Sequence, residues 1–170
     1  YKYKKIVDYY NKNIDIPIEF CYSSTKSDTG KRVIDAYKFL DNEFLLLYGD
    51  NFWKPNIQKM YKKFKMNNAA ISTTVFKNKF GTGEYGTQNN IYVKKNSFVE
   101  RYDKSRKYKK LNGVDIGFFM VKKNFLKQFN KKNQNYSFEK DILVQSIKLN
   151  KLIAYKTNQQ YFSITNIKML

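Results

Sequence analysis

The segment Leu45-Leu46-Leu47-Tyr48-Gly49-Asp50-Asn51 is an apolar run that ends in Gly-Asp-Asn. Such a run delivers a carboxylate at the carboxyl end of a strand, where open α/β sheets hold their ligands. An aspartate in that place can ligate Mg²⁺, which prefers oxygen donors and shares its shell with phosphates; an ordinary Asp-Asn turn, with Asp50 bonding nearby backbone N–H groups, is the competing reading. Tyr102-Asp103-Lys104-Ser105-Arg106 sets an acid beside two cations. There Asp103 can orient a hydroxyl and Lys104 can neutralise a phosphate, or the group is a solvated edge. Asp115 sits inside the otherwise apolar Val114-Asp115-Ile116-Gly117-Phe118-Phe119, a place that costs free energy unless a ligand hydroxyl or a backbone turn pairs with it. Thr29-Gly30-Lys31-Arg32 opens a helix whose N–H groups and cations can meet a phosphate or base, or it is a plain cap followed by solvated charge. Gly86, in Glu84-Tyr85-Gly86-Thr87, permits a ligand to approach the backbone, as many loop glycines do.

These residues need elements to hold them. Tyr3, Ile6, Val7 and Tyr10 recur at helical spacing, and Ile16, Ile18, Phe20 and Tyr22 alternate as a half-buried strand does. Val33, Ala36, Tyr37 and Leu40 predict a second helix, and residues 44–48 predict a strand covered on both faces, hence parallel and central. Asn56 caps a helix carrying Ile57, Met60, Tyr61 and Phe64, followed by a β-branched strand over residues 69–76. Residues 91–94 and 98–103 flank Asn96-Ser97 as a hairpin, and residues 114–121 form a further apolar strand. Ser137 caps a helix with Ile142, Leu143 and Ile147, and residues 152–156 and 161–164 return to β structure. The alternation predicts an α/β, three-layer nucleotide-binding architecture with a mixed sheet, lacking its first βα units.

Composition closes several classes. The chain has 170 residues, a single cysteine and no histidine, so an intramolecular disulfide, a His-Cys zinc site and a Ser-His-Asp triad are all excluded. Cys21 then reads as core or strand-face filler and Trp53 as a cleft wall or a packing residue. An apolar share of 42% is too rich for a disordered chain, and no stretch reaches the length of a membrane span. We therefore expect a cytoplasmic protein with no membrane partner. The net charge of +19 invites a polyanion-binding reading, a non-catalytic basic α/β module on RNA. Only Arg32, Arg101 and Arg106 are arginine, however, and the lysines are scattered among Asn, Ile, Tyr and Phe as an A/T-rich coding bias produces. A nucleic-acid partner is accordingly not expected, although the cluster over residues 101–110 can line a phosphate site. The first residue is Tyr1 and the first element a helix, which suggests a fragment.

In order along nearly the whole chain, these pieces resemble the sugar-phosphate nucleotidyltransferases, or nucleotide-sugar pyrophosphorylases, which join a sugar 1-phosphate to a nucleoside triphosphate. The resemblance is carried by Asp28-Thr29-Gly30-Lys31-Arg32-Val33, Leu47-Tyr48-Gly49-Asp50-Asn51, Tyr85-Gly86-Thr87, Tyr102-Asp103-Lys104-Ser105 and Asn112-Gly113-Val114-Asp115-Ile116-Gly117. With Tyr161-Phe162-Ser163-Ile164, the later motifs are most similar to the nucleotidyltransferase half of bifunctional proteins fused to a heptose-bisphosphate-type phosphatase. The resemblance implies a Rossmann-like nucleotide-diphospho-sugar transferase fold and residues 1–170 as a partial domain, truncated at both ends. It implies an enzyme of glycan biosynthesis that moves a nucleoside monophosphate onto a mannose-like or heptose-like sugar 1-phosphate, releases pyrophosphate, requires Mg²⁺ and has a fused or adjacent phosphatase.

Residue by residue, Asp50 matches the family's catalytic, metal-holding aspartate, with Asn51 beside it. Thr29 and Gly30 match the loop that touches the base, and Gly86 matches a sugar contact. Asp103 and Lys104 match the acid-lysine pair at the sugar and its phosphate, and Asp115 matches a position lining the sugar. Two departures stand out. The family's Gly-rich loop, arginine and later lysine that cradle the triphosphate are missing ahead of Tyr1, so this chain alone is not expected to turn over. Where most members place a second metal-binding aspartate, the chain reads Ser163-Ile164-Thr165-Asn166, and a neutral hydroxyl binds Mg²⁺ poorly.

Overall fold

The computed structural model describes residues 2–129 and 134–164. Helices α1 (Tyr3–Asn13) and α2 (Thr29–Asp35) precede strands β1 (Glu43–Leu47) and β2 (Asn51–Phe52), helix α3 (Ile57–Met66) and strand β3 (Ile71–Phe76). The hairpin β4 (Ile91–Val93) and β5 (Val99–Tyr102) leads into the long β6 (Val114–Lys122) and a 3₁₀ stretch, Lys123–Phe129. A π-helical segment, Phe138–Leu143, continues as α4 (Val144–Lys148), and β7 (Leu152–Thr157) and β8 (Phe162–Ser163) follow.

The main sheet runs β1-β6-β3-β7. β6 is antiparallel to both neighbours, with Leu45 opposite Met120 and Ile71 opposite Val121, while β3 and β7 are parallel with Ile71 opposite Leu152. All six residues of β3 are buried because both faces of the sheet are covered. On one face Ile71, Val75, Phe119 and Val121 pack against Ile34 of α2, against Phe138, Ile142 and Leu143, and against Ile91, Val93 and Val99 of the hairpin. On the other, Phe76, Ile116, Phe118 and Met120 lie under Met60 and Phe64 of α3, with Trp53 and Tyr161. The result is three layers, as expected from the alternation of elements. Asn56 caps α3 as its sequence predicts, its side chain accepting from the Lys59 N–H at 3.0 Å. Ser137 likewise accepts from the N–H of Lys140. No helix among the described residues is long and apolar enough to cross a membrane.

Four expectations are corrected. The apolar run at residues 44–48 is not a central parallel strand: β1 lies at the sheet edge, antiparallel to β6, half-buried along most of its length, with Leu47 exposed. The doubly covered parallel pair is β3 with β7, and the centre of β3 reads Ser72-Thr73-Thr74, polar side chains that a run of hydrophobicity does not reveal. Residues 16–22 alternate but form no strand, and they pair with no strand among the described residues. Tyr22 and Phe20 instead meet Tyr3 and Tyr10 of α1 edge to face. Cys21 within that segment is exposed rather than strand-face filler. The second helix ends at Asp35, and the stripe continues through a 3₁₀ turn at Tyr37–Phe39.

β6 carries the irregularity that shapes the end of the sheet. Its pairing with β3 jumps from Thr73↔Phe119 to Val75↔Asp115, so extra residues bulge out around Gly117, whose φ is +75°. A Cβ on Gly117 would lie 2.9 Å from Cδ2 of Tyr48 and 3.1 Å from Nδ2 of Asn51. The turn after β1 therefore rests directly on the bulge. Gly117→Ala is expected to cost roughly 1–3 kcal/mol from backbone strain and overpacking. Gly49→Ala, whose Cβ would meet nothing within 4 Å, should stay within about 0.5 kcal/mol of wild type. Chemical denaturation of the two variants checks the contrast.

Candidate functional site

The turn that follows β1 is held from three directions. The Tyr48 N–H donates to the Gly117 carbonyl at 3.0 Å, Asn51 Nδ2 donates to the Ile116 carbonyl at 3.1 Å, and the Ile164 N–H donates to the Asp50 carbonyl at 2.8 Å. Asn51 and Phe52 then pair with Ser163 and Phe162 in the short β2–β8 ladder. With its backbone fixed, Asp50 presents an exposed side chain to a cleft of about 800 Å³. Thr29, Tyr48 and Asn51 line the same cleft, as do Lys104, Asp115 and Glu139.

Another part of the lining is shaped by a carboxylate that does not itself line the cleft. Asp103 accepts from the Ser105 N–H and hydroxyl at 3.0 and 2.6 Å, and from the N–H groups of Lys107 and Tyr108 at 3.1 and 3.0 Å. The Ser105 hydroxyl, and then the Tyr108 and other backbone N–H groups, hold its carboxyl below the usual range. This turn forces Arg106 to a φ of +59° and leaves Lys104 and Arg106 as the residues that face the cleft. Arg106 donates from Nη1 to the Gln88 carbonyl at 3.0 Å, and its guanidinium stacks 4.1 Å from the centre of the Tyr85 ring. Among the described residues neither Lys104 nor Arg106 belongs to a salt bridge.

The floor is acidic. Asp115 Oδ1 accepts from the Thr73 hydroxyl at 2.8 Å and from the Gly117 N–H at 3.1 Å. Burial pushes its carboxyl up to about 6, against the opposing pull of those two bonds. Glu139 is 7% exposed, and its carboxylate accepts from the hydroxyls of Tyr48 at 2.6 Å, Ser137 at 3.0 Å and Thr29 at 3.1 Å. Burial raises its carboxyl, but the hydrogen bonds from Tyr48, its own backbone N–H and Ser137 outweigh it and leave the group below its ordinary value. The Tyr48 hydroxyl is pushed up, by burial first and by Glu139 second, and so remains a donor.

Of the residues singled out from sequence, Asp50, Asn51, Lys104, Thr29 and Asp115 come together, and Gly30, Gly86 and Asp103 do not line the cleft. Gly30 is a packing glycine: a Cβ there would sit 2.8 Å from the Tyr136 carbonyl oxygen, so its smallness lets α2 dock on residues 136–138. Gly86, at φ +60°, closes a tight turn with Gly83 beside the cleft-lining Glu84 and Tyr85. Trp53 is buried against Phe118 and Tyr155, the packing reading. Ser163 stands opposite Asn51 in the ladder, and Thr165 and Asn166 lie outside the described residues. Glu139 and Arg106 are the residues that sequence reasoning missed as site members. Glu139 was findable, since it shares a helical stripe with Ile142, Leu143 and Ser146, all buried. Among the described residues no group of three or more His, Cys, Asp or Glu is gathered as a metal cage. Asp50 still suits Mg²⁺, which is commonly held by one or two carboxylates with substrate phosphates and water completing the shell.

This mixed α/β arrangement is a nucleotide-diphospho-sugar transferase-like fold. HddC from Yersinia pseudotuberculosis shares it with a TM-score of 0.75 and 15% identity, over 99% of this chain and 72% of that one. The same protein complexed with GMP-PN matches at 0.74, again with 15% identity and the same coverage. A putative glucose-1-phosphate thymidylyltransferase from Bacillus anthracis, in complex with a sucrose, matches at 0.78 with 9% identity, over 98% of this chain and 68% of that one. No protein-family model and no curated protein matches the chain.

The Asp115 environment has a measurable consequence. Its carboxyl titrates near 6 when folded, against 3.8 for an ordinary aspartate, so between those values the folded state binds more protons than the unfolded one. Stability therefore falls as pH rises through that window, and the loss is complete above it. Asp115→Asn keeps an oxygen for Thr73 and Gly117 but removes the titration. Relative to wild type, the variant should gain roughly 2–3 kcal/mol between pH 4 and pH 7. A pH-independent difference in urea titrations would contradict this.

Proposed function

We propose that this chain forms the nucleotidyltransferase domain of an enzyme that moves a nucleoside monophosphate from a nucleoside triphosphate to a sugar 1-phosphate, mannose-like or heptose-like, and releases pyrophosphate. One observation carries the reading: the Asp50 turn and the Lys104–Arg106 turn line a single cleft, and among the described residues neither cation belongs to a salt bridge. Support comes from the fold shared with a protein that binds GMP-PN and with one named as a glucose-1-phosphate thymidylyltransferase. The same reading gives the domain a phosphatase partner, fused or adjacent.

In this account the sugar-phosphate oxygen attacks the α-phosphorus in line and the bond to the pyrophosphate oxygen breaks. The protein supplies alignment and charge rather than a covalent nucleophile. Lys104 and Arg106 neutralise the incoming phosphate. The acidic floor, Asp115 with Glu139 behind it, offers acceptors to sugar hydroxyls and keeps a second phosphate from settling there. Asp50 would hold Mg²⁺, which neutralises phosphate charge as the leaving group departs. Tyr85, braced by the Arg106 guanidinium, forms an aromatic wall against which a base or sugar ring can rest.

The test is pyrophosphate release by the full-length protein with a panel of nucleoside triphosphates and sugar 1-phosphates. Asp50→Asn and Lys104→Ala should each lower turnover about 100-fold or more, with melting temperatures within about 2 °C of wild type. Near-wild-type turnover in either variant contradicts the assignment. Binding that is indifferent to base and sugar but collapses steeply with salt would mark a polyanion-binding module instead.

A further inference from the structure

Glu139 is a charge in an apolar place. It shares the buried side of its helical segment with Ile142 and Leu143, where a leucine would pack without the several kcal/mol that desolvating a carboxylate costs. Its donors explain what the charge does. Oε1 takes the hydroxyl of Tyr48, the residue at the root of the Gly49-Asp50 turn, and Oε2 takes the hydroxyl of Thr29, the first residue of α2. The Thr29 hydroxyl also accepts from the Phe138 N–H at 3.0 Å, so the head of α2 is fastened to the segment that carries Glu139. That segment is a widened, π-type turn, with Ile142 N–H reaching back to the Ser137 carbonyl at 3.4 Å, a deviation common at functional sites. Tyr48 is fixed at its other end too, its ring lying against Gly117 and 5.6 Å from the Phe119 ring.

We infer that Glu139 is a positioning residue of the cleft: its carboxylate ties Tyr48 at the root of the Asp50 turn to Thr29 at the head of α2, setting the spacing between the walls that must receive the substrates. The catalytic part of this inference rests on the function proposed above; the structural part does not. Asp50 itself sits with an exposed side chain on the three-residue connection Tyr48-Gly49-Asp50 between β1 and β2, so its placement depends on how firmly Tyr48 is held behind it. A hydroxyl alone on a half-buried ring leaves rotation and translation free. A hydroxyl locked to a buried carboxylate at 2.6 Å does not.

Glu139→Gln and Tyr48→Phe test this in the full-length protein. Glutamine replaces one acceptor oxygen with a donor facing two hydroxyls, and phenylalanine removes only the Tyr48 oxygen, preserving the packing if the first variant folds poorly. Amide hydrogen exchange should rise about 10-fold or more at Asn51, whose N–H bonds the Tyr48 carbonyl, and at Lys31, whose N–H bonds the Tyr136 carbonyl. Amides of β3 should be unchanged. Turnover should fall about 10- to 100-fold with KM for the triphosphate within about threefold, and the double variant should be no worse than Glu139→Gln. Uniformly faster exchange that includes β3 would reduce Glu139 to a general stabiliser and overturn the inference, as would unchanged exchange at both turns. If the wild-type protein transfers no nucleotide to any sugar phosphate, the proposed function fails, while the exchange pattern still decides the clamp.

Discussion

A carboxylate withdrawn from water is stable only where donors surround it, and this cleft is built around two of them. Asp115 and Glu139 take their hydrogen bonds from hydroxyls and backbone N–H groups, including those of Thr73, Gly117, Tyr48, Thr29 and Ser137, and among the described residues neither is in a salt bridge. That choice of partner organises the rest. Because neutral groups satisfy the acids, Lys104 and Arg106 remain at the rim with their charge available to an anion. Because the neutral groups come from the turn after β1, from β3, β6 and α2, and from the segment after residue 134, their bonds to the acids also bring those elements to one place. Removing a donor leaves a buried charge short of a partner, which costs more than the bond itself contributes.

Topology places the cleft. β6 and β3 are the central strands, β7 lies parallel to β3 at one edge and β1 runs antiparallel to β6 at the other, so the end of β1 and the start of β6 meet on one side of the sheet. The bulge at Gly117 then lets the backbone of the Asp50 turn approach β6 closely enough for hydrogen bonds to the Ile116 and Gly117 carbonyls. An ordinary β residue at that position would push the turn outward and with it Asp50. The site therefore depends on a backbone irregularity as much as on any side chain.

Much of this was legible in the amino-acid order, for reasons that are local. The α3 cap at Asn56, the hairpin around Asn96-Ser97 and the apolar β6 follow from short-range turn chemistry and periodicity, and Asp50 stood out because a strand ran straight into it. What misled was long-range. Five consecutive apolar residues at 44–48 look doubly covered, but one face of an edge strand can be apolar without being enclosed; the truly enclosed β3 hides three hydroxyl residues that find partners only in the folded state or, like Ser72, find none among protein groups. Asp103 looked like a ligand-binding acid because its neighbours are cations, yet its four bonds to residues 105–108 make it the nucleus of the turn that presents them. Glu139 lies more than twenty residues beyond Asp115; its helical stripe marks it only as a polar residue on a buried face, and Tyr48 and Thr29, 91 and 110 residues away, are the partners that place it in the cleft.

The net charge of +19 belongs mostly to lysines, whereas the cleft sets the cations Lys104 and Arg106 beside the exposed Asp50 and the more buried acids Asp115 and Glu139. That polarity is the core of the account, and amide chemical-shift mapping with Mg²⁺, a nucleoside triphosphate and a sugar 1-phosphate tests it most directly. The account predicts shifts concentrated at residues 49–51, 84–85, 104–106 and 115–117. Shifts confined instead to the lysine-bearing surface at Lys65 and Lys122, or scattered with no focus on the cleft, would contradict it.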